Sequence, residues 1–219
     1  MPLLQPNPKI TPKDIENGKK SLEEFLIKPL IPENVEKGLI YAILTRGNQS
    51  ITSKKLMQRV EKDGLTALKY WVGLGQKECM PYLRNIRFYN GVWECILSSY
   101  SYLENNKDWF EQIKTNPYEL RDDMDKNIGF MGLKTASLWL RNCGQNSVAI
   151  DRKILKYIQD IGFEYNKFTP KGKLDVVHFS KKDYQRAEDF IIKLVNNDKR
   201  FHGQGYQPLA LFDATIWSR

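Results

Sequence analysis

IGFMGLKTASLWLRNCGQNSVAID, residues 128–151, decides the fold. It reads as a short glycine-containing turn, an amphipathic helix, a brief extended segment and an acidic helix start. Gly129 and Gly132 bracket Phe130-Met131, and glycine at such places marks backbone that needs a positive φ or a close approach to another surface. Beyond the turn, Ala136, Trp139, Leu140 and Cys143 fall at i, i+3, i+4 and i+7, one buried stripe. Gly144 then stops the helix in the usual C′ manner. Lys134 sits at the mouth of the turn, and Asp151 stands directly before the next apolar-periodic run.

Outward from this stretch the periodicity stays helical. Pro32 opens a helix with Val35, Leu39, Ala42 and Ile43 on one face. Tyr89–Leu103 gives another, with Val92, Ile96, Ser99 and Leu103 aligned, and Asn116-Pro117 starts the helix that leads into the turn. A short helix carrying Leu65, Leu68, Trp71 and Val72 is expected to end at Gly73. After Asp151, the helix burying Ile154, Leu155, Ile158 and Ile161 ends at Gly162. Ser180 and Asp183 form an approximate capping box for a long helix to Asn196, and Pro208 opens the last one. Residues before Pro29 read as an irregular arm with one short helix near Leu22–Ile27, and a short strand is expected at Val176–Phe179. The expected class is all-α, with nine or ten helices.

The 219 residues suffice for one sizeable core or two small lobes. Lys and Arg total 34 against 26 Asp and Glu, a net charge of +8, which fits a polyanionic partner without naming it. Cys79, Cys95 and Cys143 are odd in number and lack metal-ligand spacing, so reduced thiols in a cytosolic compartment are expected. His178 and His202 stand apart and receive no role. The proline-rich start, MPLLQPNPKITPK, reads as neither signal peptide nor membrane span.

The turn and its flanking residues suggest chemistry. Successive N–H groups in a tight glycine turn form an anion-binding concavity, and the helix N-terminus behind it adds partial positive charge. An ordinary helix–helix turn would look the same from the glycines alone. A lysine amine that is neutral part of the time is a nucleophile, a state favoured by desolvation or a neighbouring cation. The ordinary role of such a lysine is solvated or phosphate-contacting. Asp151 is a natural N-cap, and a cap also fixes the direction of its carboxylate. Asp213 and Trp217, at i and i+4, share a face of the last helix.

With AILT at Ala42–Thr45, RFYNGVWECI at Arg87–Ile96 and VAIDRKIL at Val148–Leu155, the chain resembles the helix-hairpin-helix DNA glycosylases with a Gly/Pro…Asp signature. More narrowly it resembles the archaeal-type 8-oxoguanine DNA glycosylase/lyases, from about Leu39 to Trp217. The resemblance implies two helical lobes flanking a basic cleft, one from residues 40–143 and one from 1–39 with 144–219. It implies a bifunctional glycosylase/AP lyase for an oxidised purine in double-stranded DNA, with Lys134 as nucleophile and Asp151 as the assisting carboxylate. Asp213, Trp217, Gln49 and Asn48 fall in the base pocket. Gly129, Met131, Gly132 and Arg152 fall at the DNA backbone. It implies no iron–sulfur cluster, admits a monovalent cation at the hairpin, and suggests a monomer associated with the nucleoid in the cytoplasm, with no membrane partner.

Two departures stand out. The family's hairpin reads Gly-hydrophobic-Gly, and here the first glycine position aligns with Phe130. The family's base-reading C-terminal lysine has no match, leaving Arg219 as its candidate substitute. Two other functions fit the residues alone: a non-catalytic DNA-binding or damage-sensing module, and a glycosidase acting on a modified base in RNA or a free nucleotide.

Overall fold

The computed structural model describes residues 10–46, 50–165, 167 and 179–219, with backbone alone at 50–52. Among the described residues it contains twelve α-helices, one 3₁₀ turn and no strand. The expected strand at 176–179 lies almost wholly outside the described residues. By internal packing the chain divides into two units, Ile27–Cys143 and Met1–Leu26 with Gly144–Arg219.

The continuous unit holds α2 (Pro32–Leu44), α3 (Ser50–Lys62), α4 (Leu68–Leu74), α5 (Gln76–Leu83), α6 (Tyr89–Asn105), α7 (Trp109–Thr115), α8 (Pro117–Asn127) and α9 (Leu133–Asn142). Its boundary falls at Leu26/Ile27, ahead of the 39/40 division expected from the sequence. The reason is that α2 in its entirety belongs to this core: Val35, Leu39, Ile40 and Ile43 are fully buried with Trp139 of α9. The Trp139 indole N–H donates to the Val35 carbonyl at 2.9 Å, so the ring's one polar atom is satisfied in the interior. Ile27 N–H donates to the Asn142 carbonyl at 2.8 Å and ties the start of the unit to its end. The four predicted stripe residues of α9 are all buried. Trp71 and Trp93 are core residues as well.

The discontinuous unit holds α1 (Pro12–Phe25), α10 (Arg152–Gln159), α11 (Lys181–Asn196), a 3₁₀ turn (Lys199–Phe201) and α12 (Pro208–Ser218). Every residue of α12 from Leu209 to Ile216 is buried, as expected of a helix that is apolar on nearly all sides. The supposed N-terminal arm is corrected here. Residues 12–25 form a full helix, capped by Thr11, whose hydroxyl accepts from Asp14 N while the Asp14 carboxylate accepts from Thr11 N at 2.7 Å. Its buried face is Ile15, Gly18 and Leu22, too sparse a pattern to read as a stripe. Gly18 is there for proximity, since a Cβ built on it would lie 2.8 Å from the Thr215 backbone and closer still to its hydroxyl. Buried Asp198 pairs with Arg200, whose Nη1 also donates to the Ile10 carbonyl at 2.6 Å, securing the entry to α1.

α4 runs one residue past Gly73 and stops at Gly75, whose φ of 85° does what was expected of Gly73. A paired substitution separates the two kinds of glycine. Gly18→Ala forces α1 off the α12 backbone and is expected to cost about 1–3 kcal/mol despite its better helix propensity. Gly73→Ala meets nothing within 4 Å and is expected to gain roughly 0.5–1 kcal/mol. Thermal unfolding of the two variants should therefore move the midpoint in opposite directions.

Candidate active site

The hairpin belongs to the continuous unit. α8 ends where Ile128 N–H donates to the Met124 carbonyl at 2.9 Å, and the Met131 N–H returns to Ile128 at 3.2 Å, closing a tight turn. Gly132 takes φ 73°, ψ 148° as the residue before α9, a conformation that suits glycine. Its carbonyl accepts from Thr135 and Ala136 N–H. No side chain caps α9, and with Thr135 N–H spent on Gly132 the first-turn amides of Leu133 and Lys134 are the ones that can meet an outside acceptor.

The aligned Phe130 itself adopts the left-handed conformation, at φ 62°. Such a backbone costs a non-glycine residue roughly 1–2 kcal/mol. Gly129 serves instead as a close-approach residue, because a Cβ there would lie 2.7 Å from the Glu94 carboxylate on α6. The Phe130 ring lies over Gly91 of α6, edge-on to Phe88 at 6.4 Å, with the Arg46 guanidinium 3.9 Å from its centroid. Arg46 Nη1 donates to the Met131 carbonyl at 2.8 Å. The Met131 side chain is buried, so only its backbone can take part in a DNA contact. Lys134, in the first turn of α9, is exposed on the side away from the buried stripe.

Asp151 belongs to the discontinuous unit and is the N-cap of α10. Its Oδ1 accepts from the N–H groups of Lys153 and Ile154, both at 2.9 Å, so the capping role expected of it is present. The carboxylate is half-buried. The preceding segment, Val148–Ile150, is buried without being a strand, and side chains satisfy its backbone. Ala149 N–H donates to Asp213 Oδ2 at 2.7 Å, and Ile150 N–H donates to the Tyr184 hydroxyl at 3.2 Å. That hydroxyl donates in turn to the Val148 carbonyl at 2.9 Å. Asn146 Oδ1 accepts from Leu209 N–H at the start of α12. Tyr184 escapes sequence reasoning because its place on the α11 stripe suggests only packing.

Asp213 and Trp217 share α12 but not an environment. Asp213 is fully buried and engaged with the chain that leads to Asp151, whereas Trp217 is 41% exposed. Lys153 Nζ donates to the Trp217 carbonyl at 2.9 Å and lies 5.9 Å from its ring centroid, which steadies the end of α12. Arg152 is exposed at the head of α10. Arg219 turns its side chain toward Asp14 of α1, at 3.9 Å. Asn48 and Gln49 lie outside the described residues, as does His178.

His202 is held through Nε2 at the Val195 carbonyl, 2.9 Å away. All three cysteines are free and buried, and burial pushes the Cys95 thiol up to about 12 and the Cys143 thiol up strongly, which makes them packing residues. Among the described residues no group of three or more His, Cys, Asp or Glu side chains could hold a metal ion. Nor is any helix of the described residues long and apolar enough to cross a membrane.

Comparison with known proteins bears on both units. The family profile described as 8-oxoguanine DNA glycosylase matches residues 19–199, a span that includes Lys134 and Asp151. Over 174 residues the chain is 29% identical to an 8-oxoguanine DNA glycosylase/AP lyase of Sulfurisphaera tokodaii, covering 77% of each protein. The solved 8-oxoguanine glycosylase/lyase of Methanocaldococcus jannaschii, in complex with a 15mer DNA containing 8-oxoguanine, matches with a TM-score of 0.66 at 22% identity over 94% of both chains. The 8-oxoguanine DNA glycosylase of Thermotoga maritima matches with a TM-score of 0.63 at 22% identity, over 94% of this chain and 86% of that one. The two structural likenesses carry the fold, and the profile match carries the kinship: this chain belongs to the 8-oxoguanine DNA glycosylase family.

Proposed function

We propose that this chain excises 8-oxoguanine from double-stranded DNA and then cleaves the strand, with Lys134 as nucleophile and Asp151 as the charge-stabilising carboxylate. The observation that carries the reading is the profile match across residues 19–199, which encloses a lysine exposed behind a hairpin and an acid held by two backbone N–H groups. The hairpin amides hold a phosphate without reading sequence, with Gly129, Gly132 and Arg152 at the backbone. The damaged nucleotide leaves the stack at a cost of a few kcal/mol, and Trp217, exposed at the end of α12, offers the face on which the base stacks. Asp213 lies one turn deeper as the buried acid of that face, and the resemblance adds Asn48 and Gln49 to the base pocket.

The Lys134 ε-amine, neutral at the moment of attack, adds to C1′ as the C1′–N9 bond breaks and its electron pair leaves with the base. Asp151 stabilises the positive charge that develops on the sugar. Ring opening yields an iminium at C1′; loss of a C2′ proton then expels the 3′ phosphate by β-elimination. The ammonium formed on attack gives a proton to the departing base, the ring oxygen takes a proton from solvent as it opens, and the C2′ proton goes to an acceptor. The steps therefore balance with an amine, water and a group that can take a proton. The reading places the protein with the DNA in the cytoplasm, acting as a single chain.

Borohydride reduces the iminium, so incubation with duplex containing 8-oxoguanine should trap a covalent adduct. Lys134→Gln should abolish the adduct while affinity for a duplex carrying an uncleavable abasic analogue stays within a few-fold. Persistence of the adduct in that variant would end the assignment of Lys134, and binding without any wild-type turnover would leave a non-catalytic module.

Asp151→Asn separates capping from catalysis. Asparagine caps as well as aspartate, so stability should change by less than about 1 kcal/mol. Base excision should fall by about a hundredfold or more under single-turnover conditions. Unchanged excision would remove Asp151 from the chemistry. Parallel RNA and DNA oligonucleotides identify the polymer, with cleavage of RNA alone counting against the proposal.

A further inference from the structure

The turn between α8 and α9 accommodates a phenylalanine in a glycine conformation, and a single arginine touches both that residue and the next. Arg46 follows the C-terminus of α2, where its own N–H donates to the Ile43 carbonyl at 3.2 Å and the helix-end carbonyls favour positive charge. From there the guanidinium lies on the Phe130 ring at 3.9 Å and donates to the Met131 carbonyl at 2.8 Å. Stacking and a charge-assisted hydrogen bond thus act together on two consecutive residues of one turn.

A monovalent cation at the hairpin would need several converging carbonyl oxygens. In this chain the Ile128 oxygen accepts the Met131 N–H, and the Gly132 oxygen accepts from Thr135 and Ala136. The Met131 oxygen accepts from a group that is already positive. A bound ion at the Met131 oxygen would face the guanidinium across one carbonyl, with like-charge repulsion. At the Met131 oxygen Arg46 already stands where a cation would bind.

We propose that Arg46 is the hairpin's own cation, a positioning residue that holds Phe130 and Met131 so that the first-turn amides of α9 face a DNA phosphate. The inference rests on the reading of the hairpin as a phosphate-binding turn. It adds that the grip depends on a side chain of α2 and on no dissolved metal ion.

Equilibrium binding to duplex carrying an uncleavable abasic analogue tests this, at fixed ionic strength in potassium, lithium or tetramethylammonium chloride. Wild-type affinity should be the same in all three to within about twofold. A fall of about tenfold or more in tetramethylammonium would place a metal ion at the turn and overturn the proposal, with no variant required.

Arg46→Gln, measured below its unfolding midpoint, should bind about tenfold more weakly, with the slope of log affinity against log salt unchanged. A slope lowered by about 0.9 would mean that Arg46 itself neutralises a phosphate, and wild-type-like binding would mean that it does nothing for the turn; either outcome overturns the positioning role. Adding Phe130→Gly to Arg46→Gln should recover part of the loss, because glycine holds the turn unaided. No recovery would also count against it. These outcomes are independent of the Lys134 adduct, so the inference can fail while the glycosylase reading stands.

Discussion

The Asp213 carboxylate, without solvent exposure in the middle of α12, is the constraint around which the discontinuous unit is arranged. A buried acid is tolerated only when hydrogen bonds replace its water, and one of those bonds is the 2.7 Å contact with the Ala149 amide. That contact determines where the chain runs two residues before Asp151. Tyr184 works from the other side, donating at Val148 and accepting at Ile150, so three successive residues find through side chains what a sheet neighbour would otherwise supply. Asp151 then begins α10 with its carboxylate aimed by two amides of its own helix. The direction of one acid thus follows from a chain of hydrogen bonds, most of them in the interior.

The hairpin reaches a similar end by different means. Its glycines divide the labour: Gly132 supplies an unusual backbone, whereas Gly129 lies against the Glu94 side chain. Phe130 supplies the second unusual backbone without being a glycine, and it is covered by Arg46 and packed over Gly91. Strain at one residue is offset by contacts with α6 and with the end of α2. A sequence departure at the motif is therefore answered within the same structural unit.

Much of this was legible in the sequence, and the limits have physical causes. The α9 stripe, the stops at Gly144 and Gly162 and the Ser180 cap with Asp183 all appear as expected, because periodicity and capping are local and are written in neighbouring residues. α1 was not legible: Gly18 stands at the centre of its buried face, and glycine there makes sense only once Thr215 is opposite. α5 and α7 were too short to show a period, and α5 carries Pro81 inside it. Lys134 and Asp151 were singled out through their frame, a turn and a helix start. Tyr184 and Arg46 were not, since each acts on residues far away in sequence, and no spacing rule connects 184 with 148 or 46 with 131.

α1 packs along α12, so two helices nearly two hundred residues apart in the sequence share one interface. During synthesis the residues from Ile27 to Cys143 can collapse as soon as they emerge, each contact lying within a continuous stretch. α1, made earlier than any of them, must wait with its apolar face unsheltered until α12 has emerged. The acid-bearing half of the enzyme is thus assembled last, and a chain cut short before Pro208 would carry a finished hairpin with no partner for its own beginning.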